Sequence, residues 1–209
     1  GNLVVEAMQL FPGIQTDFGL TNSLGIRTDI QGPAVGEEFH EITAEEMFNV
    51  LPFDNTITTM FLSGREVQEL FDYVAYRSAG RGCATQAQIS SARFVMDCAN
   101  EVAVDVTVGG SWDACVVDSE CTEVGEICVG GACGRPIIET EAYELATNNF
   151  IAAGGSGFRV LETNTTQTDS GLSMRVAVEA FMDQLTAGDP EFALNKVYRT
   201  GDGRITPRF

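Results

Sequence analysis

Basic residues are scarce in this chain. Over 209 residues, 12 Lys and Arg stand against 30 Asp and Glu, giving a formal net charge of −18. Such an imbalance repels phosphate backbones and anionic lipid surfaces, so neither nucleic acid nor a membrane surface is an expected partner. No stretch approaches the roughly 18 uninterrupted apolar residues that a membrane span requires. Histidine occurs once, as His40. One imidazole, with no Asp-x-His or Asn-His-Glu string, excludes self-contained two-metal hydrolysis, which needs several such ligands to fix the ions and activate water. It also excludes a Ser-His-Asp hydrolase, since no Gly-x-Ser-x-Gly elbow accompanies it. His40 lies beside Glu38 and Glu41 and reads as a solvated loop residue. The chain as given carries no signal peptide.

Hydrophobic content of 44% and charged content of 20% are those of a globular protein, and the length suits one substantial core or one domain with an appendage. Six cysteines are present. Cys83 and Cys98 bracket a segment able to fold back as a hairpin. Cys115, Cys121, Cys128 and Cys133 cluster with spacings of x5, x6 and x4 among Asp, Glu, Gly and Val. Structural zinc sites use paired short knuckles, so a loop-rich disulfide knot in an oxidising compartment is the favoured reading over zinc. That compartment is extracellular, cell-surface or periplasmic. Connectivity stays open. Asp113, Asp118, Glu120 and Glu123 of this region do not follow an EF-hand spacing and read as a solvated acidic face rather than a calcium site. Asn164-Thr165-Thr166 fits a glycosylation sequon.

Local signals place the elements. Thr43-Ala44-Glu45-Glu46 and Ser63-Gly64-Arg65-Glu66 have the form of capping boxes. The second opens an amphipathic helix with Val67, Leu70, Phe71 and Val74 on one face. Thr56 to Leu62 and Ala92 to Asp97 read as strands, and Val102, Val104, Val106 and Val108 give a clear period of two that ends at Gly109-Gly110. A further strand is expected over Ile137 to Thr147. A second amphipathic helix is expected over Ser173 to Leu185, with Met174, Val178, Phe181, Met182 and Leu185 on one side. Helices and strands mix without a βαβ rhythm, which predicts an α+β fold around a mixed β-sheet packed with helices.

Thr147 to Phe158, TNNFIAAGGSGF, places Phe150 ahead of a turn in which Gly154, Gly155 and Gly157 permit positive φ and close approach. Upstream stands Leu51-Pro52-Phe53-Asp54-Asn55. Together they resemble the Leu-Pro-Phe and Asn-Phe-Leu-Ala-x-Gly-Gly-Asp-Gly-Phe motifs of the C-terminal domain of the 5'-nucleotidase and 2',3'-cyclic phosphodiesterase family. Gly1-Asn2-Leu3 with Glu6-Ala7-Met8 is similar to that family's Gly-Asn-Leu-x-x-Asp-Ala-Met. Asn22-Ser23-Leu24-Gly25-Ile26-Arg27 resembles its Asn-Gly-Gly-Gly-Ile-Arg, and Asp202-Gly203-Arg204-Ile205 its closing Gly-Arg-Ile. The matches run in order from end to end. The resemblance implies one domain over 1–209, with the cysteine-rich segment 111–136 inserted where the family has a short turn. Such an insertion costs the host fold little, because loop-closure entropy rises slowly with length.

The resemblance also implies a site. Its phenylalanines, matched by Phe53 and Phe150, clamp a nucleoside base on both faces; each Phe taken alone reads as a core residue sooner than a clamp, and the coincidence with both motifs turns the reading to the clamp. Arg27 and Asn22 match residues placed at the phosphate and base edges of the substrate. A guanidinium is a charged planar fork suited to phosphate; the alternative for Arg27 is a surface salt bridge, and for Asn22 a turn-forming role. Gly154, Gly155 and Ser156 would form the pocket edge. Ser156 replaces the family's Asp, and one hydroxyl offers less to a ribose than a carboxylate. A further phosphate-binding Arg of the family lies upstream of the motif at Gly1.

The implied function is nucleotide or nucleoside recognition for an exported 5'-nucleotidase-like metallophosphoesterase. Its two divalent metal ions would sit in a separate N-terminal domain, with no cofactor and no phosphate hydrolysis in this chain alone. The alternative is a non-catalytic extracellular structural or adhesive module, with the cysteine knot as its contact surface and self-association as one outcome.

Overall fold

A computed structural model describes residues 1–30, 32, 35, 40–187 and 203–209. Glu38 and Asp202, named above, lie outside them. The strands are β1 (Phe18–Asn22), β2 (Thr56–Ser63), β3 (Ala87–Ser90), β4 (Ala92–Asp97), β5 (Val102–Val108), β6 (Ile127–Val129), β7 (Ala132–Gly134), β8 (Ala142–Asn148), β9 (Thr168–Ser173) and β10 (Ile205–Arg208). The helices are α1 (Asn2–Gln9), α2 (Ala44–Val50), α3 (Gly64–Ala79), α4 (Asn149–Ala152), α5 (Arg159–Glu162) and α6 (Met174–Thr186). A five-stranded mixed sheet has the order β3-β1-β8-β2-β9, and a three-stranded sheet the order β10-β4-β5. The fold is α+β.

Both capping boxes form. The Thr43 and Ser63 side chains accept from the Glu46 and Glu66 amides, and each glutamate reaches back to its cap backbone. His40 is not free in solvent as its sequence context implied. Its Nε2 lies 2.6 Å from Glu46 Oε1. Hydrogen bonds from the Thr43 amide and then from His40 hold the Glu46 carboxyl below its ordinary value.

Helix α3 buries Val67, Leu70, Phe71, Val74 and Ala75 between the two sheets. The Phe71 ring stacks on Phe94 of β4 at 4.8 Å and meets Phe18 of β1 edge-on at 5.9 Å. One side chain thus joins both sheets. On the other face of the larger sheet, α1, α2 and α6 pack a second core with Met8, Met47, Met174, Val178 and Met182. The chain ends meet where the Arg204 guanidinium pairs with Glu6 of α1 and donates to the Ile89 carbonyl at 3.1 Å.

Two expectations of strand placement are corrected. The segment from Cys83 to Cys98 is disulfide-bonded but is not a hairpin. Strand β3 pairs with β1, whereas β4 pairs with β5 and β10, so the chain changes sheets at Ser91 (φ 51°). The strand expected from Ile137 starts only at Ala142. Ile137 donates to Val106 in the smaller sheet, and the turn after it uses the Glu139 and Glu141 carbonyls to accept from the first amides of α3.

Within 111–136, β6 and β7 form a two-stranded ribbon, and the disulfides are interleaved as Cys115–Cys128 and Cys121–Cys133. Val108 and Arg135 are joined by a backbone bond across the segment's base. The acidic residues here are more than a solvated face. Glu126 is buried and accepts from the Ser111 amide at 2.6 Å, Asp118 accepts from the Cys128 amide at 2.8 Å, and Glu120 accepts from the Val116 amide.

Truncating Phe71 to Ala is expected to cost about 3–5 kcal/mol in denaturant unfolding, as for other buried rings. Asp97 provides a pH signature. Hydrogen bonds from Asn100 and then Arg208 lower its pKa to about 2. A depressed carboxylate stabilises above its unfolded value, and that contribution disappears as pH falls from about 4 through about 2. Asp97→Asn is expected to remove this part of the acid-unfolding profile.

Candidate functional site

The site grows from one end of the five-stranded sheet. Strand β2 runs antiparallel to β8, pairing Ile57 with Asn148, while β1 runs parallel to β8. The segment before β2, the turn after β8 and the turn after β1 therefore emerge together. The first carries Phe53, the second Phe150 to Ser156, and the third Asn22 to Arg27. The Asn149 carboxamide oxygen accepts from the Thr56 amide at 3.3 Å and ties the first two segments together.

Asn148 holds this end closed. It is fully buried and caps α4 by accepting from the Ile151 amide at 2.9 Å. Its amide nitrogen donates to Thr21 Oγ1 at 2.8 Å and to Asn22 Oδ1 at 3.2 Å. The neighbouring Thr147 hydroxyl donates to the Leu20 carbonyl at 2.8 Å. Side chains thereby continue the β1–β8 attachment where the paired register stops. Asn22 is buried in this network, where its Oδ1 accepts from Asn148.

Phe53 and Phe150 lie outside the packed cores, 49% and 48% exposed. The Phe150 ring rests on Gly155. A Cβ there would stand 2.7 Å from two ring carbons and 2.4 Å from the Phe150 carbonyl oxygen. Gly155 thus serves Phe150 itself. Gly157 has a φ of 85°, and a Cβ on it would collide with Tyr73 Oη. Ser156 also adopts positive φ, at 55°. Its carbonyl is held by Tyr73 Oη at 2.8 Å and Arg77 Nη1 at 2.7 Å, both from α3. Ser156, Phe158, Arg77, Asn22, Leu24 and Gln86 line a notch of about 10 Å³, the room of about one water molecule. The buried side-chain oxygen of Gln86 has no hydrogen-bond partner among the described residues.

Arg27 is exposed. Its backbone amide donates to the Val50 carbonyl at 2.9 Å, and its guanidinium donates to the Leu24 carbonyl at 3.3 Å. Among the described residues it forms no ion pair, so the fork remains available to an anion.

Three positioning side chains carried no motif. Tyr73 and Arg77 follow each other by one helical turn on α3, and Arg77 also donates to Tyr73 Oη at 3.1 Å. Arg175 lies in the first turn of α6 and donates to the Leu51 carbonyl at 3.0 Å. A cation is electrostatically disfavoured at a helix N-terminus, which is the one sequence signal that marks Arg175.

Among the described residues, the close group of three potential ligands is Cys115, Cys121 and Cys133, and each is consumed in a disulfide. That rules against the zinc alternative.

The family model for the 5'-nucleotidase C-terminal domain matches residues 1–163. The chain belongs to this family. It is 25% identical to the snake venom 5'-nucleotidase of Gloydius brevicauda over 89% of this chain and 27% of that protein. It is 26% identical to the trifunctional nucleotide phosphoesterase protein YfkN of Bacillus subtilis (strain 168) over 100% of this chain and 12% of that protein. The 5'-nucleotidase precursor from Thermus thermophilus superposes with a TM-score of 0.70 at 23% identity, covering 99% of this chain and 34% of that one. The Haemophilus influenzae NAD nucleotidase gives 0.68 at 18% identity, covering 100% and 33%. At these identities the solved structures share the fold. The chain spans about a third or less of each of these proteins. No helix among the described residues is long and apolar enough to cross a membrane.

Gly155→Ala is expected to displace Phe150 and destabilise the chain by about 1–3 kcal/mol, the usual cost of overpacking. Asn148→Ala removes a cap and leaves buried polar groups unpaired, and is expected to cost about 2–3 kcal/mol. Denaturant titration checks both.

Proposed function

We propose that this chain is the substrate-recognition domain of an exported 5'-nucleotidase-like metallophosphoesterase, acting in phosphate-monoester hydrolysis of nucleotides. The base stacks between Phe53 and Phe150, and Arg27 receives the phosphate edge. Binding energy gathered away from the reacting bond orients the ester for hydrolysis elsewhere. On this reading two divalent ions belong to an N-terminal catalytic domain outside this chain, and the chain alone binds without hydrolysing. Residues 1–209 are one domain with 111–136 as its disulfide-held insertion. Export is supported by the disulfides and by venom relatives.

One observation carries the reading. Two half-exposed aromatic rings stand at the same end of paired strands, in the positions of both family motifs. Phe48 and Phe61 are exposed to the same degree, so it is the coincidence with both motif positions that favours a stacked ligand, and a flat base gains roughly 1–3 kcal/mol from each aromatic stack. Ser156 contributes less to a ribose than a carboxylate, so base stacking dominates the affinity and ribose and deoxyribose forms bind similarly.

Calorimetry of the chain with adenosine and AMP tests this. Phe53→Ala and Phe150→Ala are each expected to weaken both ligands on the order of tenfold. Arg27→Ala is expected to weaken AMP while leaving adenosine unchanged. Binding of adenosine that survives the double Phe substitution would refute the clamp. A wild-type chain with no affinity for either ligand would favour the non-catalytic contact module instead.

A further inference from the structure

The two aromatic jaws are held very differently. Phe150 sits on a helix turn capped by buried Asn148 and backed by Gly155. Phe53 sits in an irregular segment, and among the described residues no backbone hydrogen bond holds Phe53 or Asp54. The segment is fastened on its two flanks. On one side Leu51 ends α2, and on the other Asn55 accepts from the Met174 amide at 2.9 Å.

Arg175 reaches across this gap from α6. Its Nη1 donates to the Leu51 carbonyl at 3.0 Å, and its Nη2 lies 3.7 Å from the Asp54 carboxylate. Its guanidinium also covers the Phe48 ring of α2 at 5.2 Å from the centroid. These contacts bracket Phe53 on both sides. The Asp54 carboxylate is 96% exposed, so that ion pair alone contributes little. The charge-assisted bond to Leu51 and the face contact with Phe48 fix the guanidinium, and meeting Leu51, Asp54 and the Phe48 face at once uses two nitrogens of a planar fork, which a single ammonium nitrogen does not reproduce.

We infer that Arg175 is the positioning residue of the Phe53 jaw, setting the angle and depth at which that ring meets a stacked base. This rests on the base-clamp reading above. Arg175 itself touches no ligand. It limits how far the Leu51–Asn55 segment swings, so its loss raises the ordering cost paid on binding. Stacking is tolerant of base identity but sensitive to ring position, and the effect therefore falls on nucleosides of every base.

A double-mutant cycle on adenosine affinity, read by calorimetry on the 209-residue chain, tests the assignment. Arg175→Ala is expected to weaken binding about fivefold to tenfold with Phe53 present, and to add no further loss in a Phe53→Ala background. Arg175→Lys keeps the charge but loses the fork and is expected to behave like Arg175→Ala; it carries the same cycle should the alanine variant fail to fold. Thermal unfolding of each variant separates lost stability from lost positioning. Equal losses in both backgrounds would show a general structural role and overturn the assignment. Phe53→Ala weakening binding while both Arg175 variants bind as wild type would overturn it with the clamp intact. Phe53→Ala without effect would overturn the clamp and the assignment together.

Discussion

The antiparallel pairing of β2 with β8 is the constraint on which the site depends. It brings the segment before β2 and the turn after β8 to one end of the sheet, although about a hundred residues of chain separate Phe53 from Phe150. The parallel attachment of β1 adds a third segment at that end. Parallel pairing is weaker per residue, and here the described register is short. Thr147 and Asn148 extend it with buried side-chain bonds. Buried amides of this kind are costly unless fully satisfied, and Asn148 has partners for both its donor and its acceptor.

Helix α3 links stability to the site. Its buried face carries Phe71, which joins the sheets, while Tyr73 and Arg77 hold the Ser156 carbonyl. The glycine-rich turn is therefore fixed by the helix between the two sheets rather than left as a surface loop. Positive φ at Ser156 is tolerated because those bonds, together with the close packing of Gly155 and Gly157, define the turn. The Phe53 segment has no contact of this kind with α3; it is anchored by buried Leu51 in the second core and tied to α6 through Arg175 and the Met174 amide. The cysteine-rich ribbon is closed by its own disulfides and by backbone bonds at its base, so the sheet accommodates it without losing its pairing there.

Much of this was legible in the chain because its determinants are local. The capping boxes at Thr43 and Ser63, the span of β5 and the apolar stripes of α3 and α6 are short-range patterns and formed where expected, although the valine alternation of β5 breaks at Asp105 (φ 54°), leaving Val102 exposed and Ala103 buried. Phe53 and Phe150 were legible as motif positions, but what holds each ring in place was not. Gly155 was legible as a point of close approach; that the Phe150 ring is what approaches it was not. The misread segments depended on distant partners. Nothing between Cys83 and Cys98 indicates that β3 and β4 belong to different sheets, and Ile137 looks like strand because it pairs, though with Val106. Tyr73, Arg77 and Arg175 reach residues far away in sequence, where period and propensity carry no information. The cysteine spacings indicated a knot, while its interleaved pairing needed the fold.

The most direct test of the base clamp is a crystal structure of the chain soaked with adenosine at saturating concentration. The account predicts the purine between the Phe53 and Phe150 rings, parallel to both at van der Waals contact of about 3.5–4 Å. A purine bound elsewhere, or one touching only one of the two rings, would contradict it.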